Sequence, residues 1–509
     1  MRATTVSTLI AALIAAVFVL APAHAARSDW REMTVGHFHL YSTLSDSSTR
    51  NIARQLQSFE NIVGRMLQSE DRLPDVPTVI FILDRKDFEK YATPRRGLGG
   101  FFHPEPAGNV LVIDGEMDFD SVKVTVFHEY THFIQQNTRT MRMPPWYAEG
   151  YAELFSSSRI VNDVVTLGEL PTGVHLSLER RDWIPIERLI AVKQTDPEYQ
   201  AEKLMPQFYG EAWALVHLLL FDDHALGGPT GRYLDDVDSG FPEAQAFTRN
   251  FPFDKAGLDE AVRKLIKGEV IHIKKITVQS PLEVDQAPIR RMSVLEADTA
   301  MARLTFMLHR PPEVVDPLML NALNESKTES SVLALAARIG ARTHDRIDMA
   351  VVKPLCADES LSVQERIDLA DALLADGGSA ETAKLAIGLL DATVHAADPP
   401  IEAVLLWTRA AGLMDTAPGP VIEILEPAAK RAPHNTQILQ WLAIANEAQG
   451  EKAKARSLYT RIILVSQFEP ERAWAQKQAD STRLQDDPAA PIEHAPPPPK
   501  PTSKPPAKR

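Results

Sequence analysis

The sequence predicts an α+β domain followed by an all-α region. Between residues 26 and 284, strand and helix patterns alternate. Pro77–Leu83 is rich in β-branched and aromatic residues, whereas Thr49–Gln68 carries apolar residues at helical spacing. Between residues 285 and 484, apolar residues recur at helical spacing alone, with short Gly, Pro or Asn breaks. A chain of 509 residues is also too long for one ordinary domain, so we expect two or three.

Two further strand patterns belong to the first domain. His37–Tyr41 alternates polar and apolar side chains, which indicates a strand with one buried face. Gly99–His103 and Asn109–Ile113 flank a turn that contains Pro and Gly, and this predicts a hairpin. Helices are expected to dominate after the hairpin.

Composition and charge limit the class of protein. Hydrophobic residues make up 44% and charged residues 24% of the chain, which is typical of a globular protein with a large core. The formal net charge of −14 argues against a nucleic-acid partner, which would need a basic face. Cys356 is the single cysteine, so the chain can form no intramolecular disulfide and no cysteine-based zinc cluster. We expect Cys356 to be a small buried apolar residue.

Residues 1–25 have the pattern of a secretory signal peptide. A positively charged start precedes an apolar run over residues 9–21, and Ala23–Ala25 fits the small-x-small cleavage rule. We expect cleavage after Ala25, and a bacterial protein that is periplasmic or secreted with no membrane span left. An uncleaved anchor is the alternative, but it would need about 20 apolar residues, and this run is shorter.

The clearest repeat lies at the end of the helical region, over Thr436–Glu469. A tetratricopeptide repeat (TPR) has fixed positions for large, small and turn residues. In this segment those positions hold Leu439, Leu442, Ala443, Gly450, Ala455 and Tyr459. The preceding residues 402–435 fit the period poorly, and an ordinary helical bundle is the alternative. Repeat stacks present extended binding surfaces, so we expect a protein partner here.

The last segment, residues 485–509, is rich in Pro and ends with several Lys and Arg residues. Such a composition cannot bury a core, so we expect this segment to be disordered. Its basic tip could contact an acidic surface, but a solvated tail is the simpler interpretation.

A pair of histidines indicates a metal-binding site. His128 and His132 are four residues apart on a predicted helix that starts after Asp120, so both project from one face and can reach one metal ion. Glu129 is turned away from the metal, where it can meet an activated water as a general base. The surrounding residues are apolar or aromatic, and unpartnered polar groups in a buried helix are costly. Two core histidines without a metal are the alternative.

A second pair of polar residues follows on another predicted helix. Glu149 and Glu153 are four residues apart on a segment entered through Pro144 and Pro145. One carboxylate can complete a His₂Glu catalytic site whose fourth position is left for water, and the other can hold the second ring nitrogen of a ligand histidine. Gly150 is expected to let this helix pack closely on the histidine helix.

The segments His128–His132 and Trp146–Glu153 resemble the gluzincin clan of zinc peptidases. They are especially similar to bacterial peptidase MA-like domains, which are often joined to helical repeats. The resemblance covers roughly residues 30–278. It implies a thermolysin-like zincin fold, with a small mixed sheet and a helical half that carries the active site. A metzincin is excluded because no Gly and third His follow at the required spacing.

The resemblance also implies a role for each polar residue of the two segments. It implies one zinc ion per chain, with His128, His132 and Glu149 as ligands. It implies Glu129 as the catalytic base and Glu153 as the acid behind a ligand histidine. The expected activity is zinc-dependent hydrolysis of a peptide bond, with a peptide or protein as substrate.

Tyr209 leads an apolar helix, Phe208–Leu220, that resembles the helix after the zinc site in gluzincin aminopeptidases. The leading tyrosine of that helix donates a hydrogen bond to the oxyanion, a charge that develops only in the transition state. A core tyrosine at a helix start is an equal alternative. His217 on the same helix is a lesser candidate for the oxyanion role.

Two alternatives concern the substrate and the function. The Gly99–Ile113 hairpin could supply an edge strand that pairs with a substrate backbone, its glycines allowing close approach, or it could be purely structural. The alternative function is a TPR-based interaction or assembly protein whose zincin domain is inactive or holds a structural zinc. The complete set of ligands, base and supporting acid argues against an inactive domain.

Overall fold

The computed structural model describes residues 29–66, 78–92, 99–105, 108–138, 143–161, 164–171, 183–201, 203–221, 227–238, 241–251, 255–267, 271–277, 282–466 and 468–482. The expected signal peptide and Pro-rich tail lie outside these residues. The described chain is mostly helical with a small mixed sheet, which agrees with an α+β part followed by an all-α part. No helix within these ranges has the length and apolar character needed to cross a membrane.

Two sheets lie in the first part of the chain. In chain order the strands are β1 (Arg31–Val35), β2 (Phe38–Ser42), β3 (Thr78–Leu83), β4 (Gly100–Glu105), β5 (Gly108–Asp114), β6 (Arg159–Val161), β7 (Val164–Leu167), β8 (Lys274–Thr277) and β9 (Ile289–Arg291). The main sheet has the order β4-β5-β3-β2-β1-β9, in which β2, β3 and β5 run parallel and the other pairs antiparallel. The predicted hairpin is β4–β5, and it places β4 at an edge. The strands β6, β7 and β8 form a separate antiparallel sheet.

The helices of the first part share a core with one face of the main sheet. They are α1 (Asp46–Met66), α2 (Phe119–Thr138), α3 (Pro145–Ser156), α4 (Ile186–Ala191), α5 (Pro197–Gln200), α6 (Met205–Phe221), α7 (Gly227–Asp238), α8 (Glu243–Asn250), α9 (Lys255–Ile266) and α10 (Leu282–Gln286). A short turn, Arg85–Asp87, runs into a π-helical turn at Phe88–Ala92. The shared core includes Leu40, Ile80 and Leu111 of the sheet together with residues of α1, α2, α3 and α6. This packing fixes the helices that carry the candidate site.

The opposite face of the same sheet is covered by the start of the all-α region. The helices α11 (Val294–Met307), α12 (Pro312–Glu325) and α13 (Ser330–His344) share a core with Phe81, Leu83, Val110 and Val112. β9, which precedes α11, pairs with β1. The domain boundary predicted between residues 284 and 285 therefore falls within α10, just before a strand that belongs to the main sheet.

Beyond α13 the chain continues as a stack of helices. They are α14 (Met349–Leu355), α15 (Val363–Leu373), α16 (Ala380–Val394), α17 (Ile401–Leu413), α18 (Pro418–Arg431), α19 (Thr436–Ala448), α20 (Lys452–Val465) and α21 (Glu469–Ser481). From α15 onward each helix packs on the next, and α13, α15, α17 and α19 also pack on one another in that order. This is the arrangement of a helical-repeat stack. Cys356, at the end of α14, lies at the edge of this core. It is half-buried, whereas the sequence predicts a buried residue.

The predicted TPR unit is the helix pair α19 and α20. The chain turns between them at Gly450, whose φ of +89° is a left-handed conformation that favours glycine. Ala455 and Tyr459 of α20 are buried in one core with Leu439 and Ala443 of α19. The last unit of the stack therefore has the TPR-like form that its sequence predicts.

Candidate metal centre

The two predicted motifs lie on α2 and α3. α2 begins at Phe119, and the backbone oxygen of Asp118 accepts a hydrogen bond from Val122 N at 3.2 Å. α3 begins at Pro145. Proline has no backbone N–H, but it is tolerated here because N–H groups in the first turn of a helix have no partner within the helix. The two helices pack on each other. Residues 128–132 are thereby brought next to residues 149–153.

Three side chains from these helices converge on one point. The Nε2 atoms of His128 and His132 are 3.1 Å apart, and Oε2 of Glu149 lies 3.2 Å from each of them. A tetrahedral zinc site with bonds of about 2.0–2.1 Å places its ligand atoms roughly 3.3 Å apart. The three donors therefore have the spacing of three corners of such a site. Within the described ranges no other group of three His, Cys, Asp or Glu side chains comes together in this way.

The donor set and its supporting contacts fit zinc. Two imidazole nitrogens and one carboxylate oxygen form the His₂Glu set of catalytic zinc sites, which leave a fourth position open. Oε1 of Glu153 lies 3.5 Å from Nδ1 of His128, and Oε1 of Gln135 lies 3.4 Å from Nδ1 of His132. When the Nδ1–H groups face these oxygens, the Nε2 lone pair of each ring is directed at the point where the three donors meet.

The charges around the cluster favour a cation. Burial alone would lower the pKa of His128, but the hydrogen bond with Glu149 and the neighbouring carboxylate charges raise this pKa to about 9. Burial opposes ionisation of Glu149, yet the charges and hydrogen bonds of His132 and His128 lower its pKa below the usual carboxyl range. Burial raises the pKa of Glu153 against the opposing charge of His128. A site that draws a proton onto a buried histidine would also draw a divalent cation, which takes the place of that proton.

Tyr209 and Glu129 lie beside the cluster. The ring of Tyr209, in the first turns of α6, stacks on the ring of His128 with centroids 5.8 Å apart. Burial, the charges of Glu149 and Glu129, and a hydrogen bond with Glu149 raise the pKa of the Tyr209 hydroxyl, so it stays protonated and can donate a hydrogen bond. Glu129 is half-buried and close enough to act on the pKa values of both His128 and Tyr209.

His217 lies elsewhere, about 12 Å further along α6 at 1.5 Å per residue. It is buried, and its Nε2 donates to the backbone oxygen of His272 at 2.8 Å. Its ring stacks on that of Phe221 with centroids 4.9 Å apart. The structure therefore places Tyr209, and not His217, next to the His128–His132–Glu149 cluster.

Gly150 allows a close helix contact, but with a different helix from the one expected. A Cβ at this position would lie 2.3 Å from the backbone oxygen of Ala212 and 2.8 Å from Val216 Cγ2, both in α6. The expectation that Gly150 brings α3 close to α2 is therefore wrong. The glycine sets the distance between the helix that carries Glu149 and the helix that carries Tyr209.

The outer edge of β4 pairs with no strand in the part of the chain that the structure describes. Asp114 N donates to Gly99 O at 2.8 Å, and the ladder that follows directs the N–H and C=O groups of Gly100 and Phe102 away from β5. The glycines here permit close packing by α2, because a Cβ at Gly100 would lie 2.9 Å from Val122 Cγ1. This contact shows that Gly100 packs against α2. It does not test the expected role of the glycines in the approach of a substrate.

Tyr199 also touches the cluster, although no motif in the sequence points to it. Its hydroxyl donates to Oε1 of Glu149 at 2.6 Å. Tyr199 lies on α5, 50 residues along the chain from Glu149, and no motif or periodicity connects the two residues. The contact arises only from the packing of the helices.

Comparisons with known proteins identify no family for the chain. No protein-family model matches the sequence, and a search of curated proteins finds no match. Among solved structures, the chain is similar to the crystal structure of yeast Tom70, with 12% sequence identity over 86% of this chain and 75% of that chain. The TM-score is 0.29, below the level at which two chains share an overall fold.

Proposed function

We propose that the protein is a zinc-dependent hydrolase that cleaves peptide bonds, acting in the bacterial periplasm or outside the cell as the predicted signal peptide indicates. The observation that carries the proposal is the 3.1–3.2 Å spacing of Nε2 of His128, Nε2 of His132 and Oε2 of Glu149. Among the described residues the group has three donors. A site with three protein ligands leaves room for reactants, whereas structural zinc sites usually close the fourth position.

In this proposal Glu129 is the general base. Zinc, when bound, supplies Lewis-acid chemistry that acidifies water and polarises a carbonyl group. Each residue of a helix turns by about 100°, which places Glu129 between the histidine face of α2 and the face covered by β4. There the carboxylate takes a proton from the attacking water and passes it to the leaving amine. Tyr209 donates its hydroxyl hydrogen to the developing oxyanion.

β4 offers a place for an extended peptide. Phe102 of β4 packs on Tyr130 and Phe133 of α2, with ring centroids 5.9 and 5.6 Å apart, so the free edge of the strand runs beside the Glu129 side of this helix. A peptide that adds to this edge would form main-chain hydrogen bonds with Gly100 and Phe102. Apart from this edge strand, the proposal of a peptide as substrate rests on the resemblance to gluzincins.

The variant Glu129→Gln tests the chemistry. It should retain zinc like the wild type, because Glu129 is not a ligand. It should lose at least about 10²-fold in kcat/KM, since a positioned general base typically contributes 10²–10⁴-fold. The measurement is digestion of a peptide library and of periplasmic proteins by both proteins, read by mass spectrometry, with zinc content determined in parallel as the control. Full activity of the variant would contradict the proposed mechanism.

The second candidate is an interaction or assembly protein built on the helical stack, with an inactive or structural zinc domain. The alternate packing of α13, α15, α17 and α19 supports it, because such stacks present extended binding surfaces. A zinc-loaded wild type that cleaves no library peptide and no periplasmic protein would favour it.

A further inference from the structure

Tyr199 reaches the candidate metal centre from outside the two helices that supply its ligands. The Tyr199 hydroxyl donates to Oε1 of Glu149 at 2.6 Å. Oε2 of the same carboxylate lies 3.2 Å from Nε2 of both His128 and His132. The two oxygens of Glu149 therefore have different partners, a hydroxyl on one side and the metal position on the other.

This contact restricts how Glu149 can act as a ligand. A glutamate that lacks such a partner can rotate about its terminal bond and offer either oxygen, or both, to a metal ion. A hydrogen bond to Oε1 favours the one orientation that directs Oε2 at the two histidines. Removing a partner of this kind from a metal ligand typically changes metal affinity 10–100-fold.

A cluster of charged side chains holds the short helix that carries Tyr199. Arg188 of α4 donates through Nε and Nη2 to the two oxygens of Glu198, at 2.7 and 2.6 Å, and Nη2 also reaches Asp196 at 2.9 Å. Asp196 in turn accepts from the backbone N of Lys193 at 3.0 Å. A bidentate guanidinium–carboxylate pair fixes geometry as well as adding binding energy. We call Arg188, Asp196 and Glu198 the α5 clamp.

The ring of Tyr199 is also in contact with α6. It meets Phe208 edge-on with centroids 6.0 Å apart, and its centroid lies 6.2 Å from that of Tyr209. These contacts involve the ring and not the hydroxyl, so they remain when the hydroxyl is removed. The contact with Glu149 can therefore be tested without disturbing the packing of α5 on α6.

We propose that Tyr199 is a positioning residue that holds Glu149 as a single-oxygen metal ligand, and that the α5 clamp holds Tyr199 in place. The inference rests on the proposed function in requiring a metal at the cluster, and it adds a residue that neither the motifs nor the resemblance assigns. Tyr209 also interacts with Glu149, but its ring stacks on His128 and it lies outside the α5 clamp. Because Tyr209 has a proposed role in the reaction and itself touches Glu149, it cannot serve as the control for Tyr199.

Zinc affinity tests the role of Tyr199. Tyr199→Phe removes the hydroxyl that bonds Glu149 and keeps the ring. The matched control is Tyr459→Phe, which removes a hydroxyl that donates to Glu447 at 2.9 Å in the helical stack. The zinc dissociation constant of each full-length protein is measured by competition with a chelator. We expect Tyr199→Phe to raise this constant about 10–100-fold and Tyr459→Phe to leave it close to the wild-type value. The metal-free forms of all three proteins should melt at similar temperatures.

If Tyr199→Phe binds zinc as tightly as the wild type, or if Tyr459→Phe loses as much affinity as Tyr199→Phe, the positioning role is wrong. If Arg188→Gln, which breaks the α5 clamp away from the cluster, binds zinc like the wild type, the clamp is wrong. We expect this variant to lose affinity by a smaller factor than Tyr199→Phe. A wild type that binds no zinc would instead overturn the proposed function, so the two failures are distinguishable.

Discussion

Glu149 is held through both of its carboxylate oxygens: Oε2 lies 3.2 Å from Nε2 of His128 and of His132, and Oε1 accepts a hydrogen bond from Tyr199. Its approach to His128 and His132 follows from two i,i+4 pairs on neighbouring helices, because residues four apart share a helix face. Its contact with Tyr199 depends on how α4, α5 and α6 pack beside α3. Periodicity reports which face of an element is buried but not which residue meets it, so Tyr199 could not be predicted.

His217 is a buried histidine whose lowered pKa should make the free energy of unfolding depend on pH. Burial lowers its pKa to about 4, although its hydrogen bonds with the backbone oppose this. In the unfolded chain the group titrates near its ordinary value of about 6.5. Between these values the unfolded state binds the extra proton, so the stability that neutral His217 contributes is lost as pH falls from 6.5 to 4.

The variant His217→Gln should reduce this pH dependence. We expect the loss in free energy of unfolding between pH 7 and pH 4.5 to be about 2 kcal/mol smaller in the variant than in the wild type. Chemical denaturation at both pH values measures it, with a chelator present so that metal loss at acid pH does not contribute. Equal losses in the two proteins would show that His217 is protonated as readily in the folded protein as in the unfolded one.

At the scale of elements, helices and central strands follow their sequence patterns closely. The expected helix Thr49–Gln68 is α1 (Asp46–Met66), and the expected strand Pro77–Leu83 is β3. β9 could not be predicted, because Ile289–Arg291 is short and gains its strand conformation by pairing with β1, far away in the chain. For Gly150 the sequence indicated close packing but not the partner, since a glycine carries no information about which backbone approaches it.

Gly150 sets the spacing of α3 and α6, and a methyl group there should disturb the site. A Cβ would lie 2.3 Å from the backbone oxygen of Ala212, which a side-chain rotation cannot relieve. We expect Gly150→Ala to lower the free energy of unfolding by about 1–3 kcal/mol, the usual cost of overpacking. It should also weaken zinc binding, because the neighbouring residue Glu149 would shift. Denaturant unfolding and chelator competition measure the two effects.

Gly231 provides the matched control for this variant. It also lies within a helix, α7, but a Cβ there would meet no atom within 4 Å. Gly231→Ala should therefore stabilise the protein by about 0.5–1 kcal/mol, because alanine favours the helix over glycine. If both substitutions had the same sign and size, the close approach of α3 and α6 would not be what Gly150 provides.

At the scale of the whole molecule, the main sheet joins the candidate site to the helical region. One of its faces packs on α1 and α2 and shares a core with the other helices of the first part, and the opposite face packs on α11, α12 and α13. Neighbouring residues of β4 show this division: Phe102 packs on Tyr130 of α2, whereas Phe101 lies in the core shared with α11. The sequence predicts an α+β part and an all-α part but not this shared core, because the contacts join residues far apart in the chain.

The metal content of the purified full-length protein shows whether the three donors form a metal centre. After loading with zinc and removal of free metal, the wild type and Glu129→Gln should each retain one zinc ion per chain, measured by elemental analysis. His132→Ala should retain none, because it removes one of the three donors that lie 3.1–3.2 Å apart. A wild type without stoichiometric zinc, or a His132→Ala variant that binds zinc as tightly as the wild type, would contradict the assignment of His128, His132 and Glu149 as a metal centre.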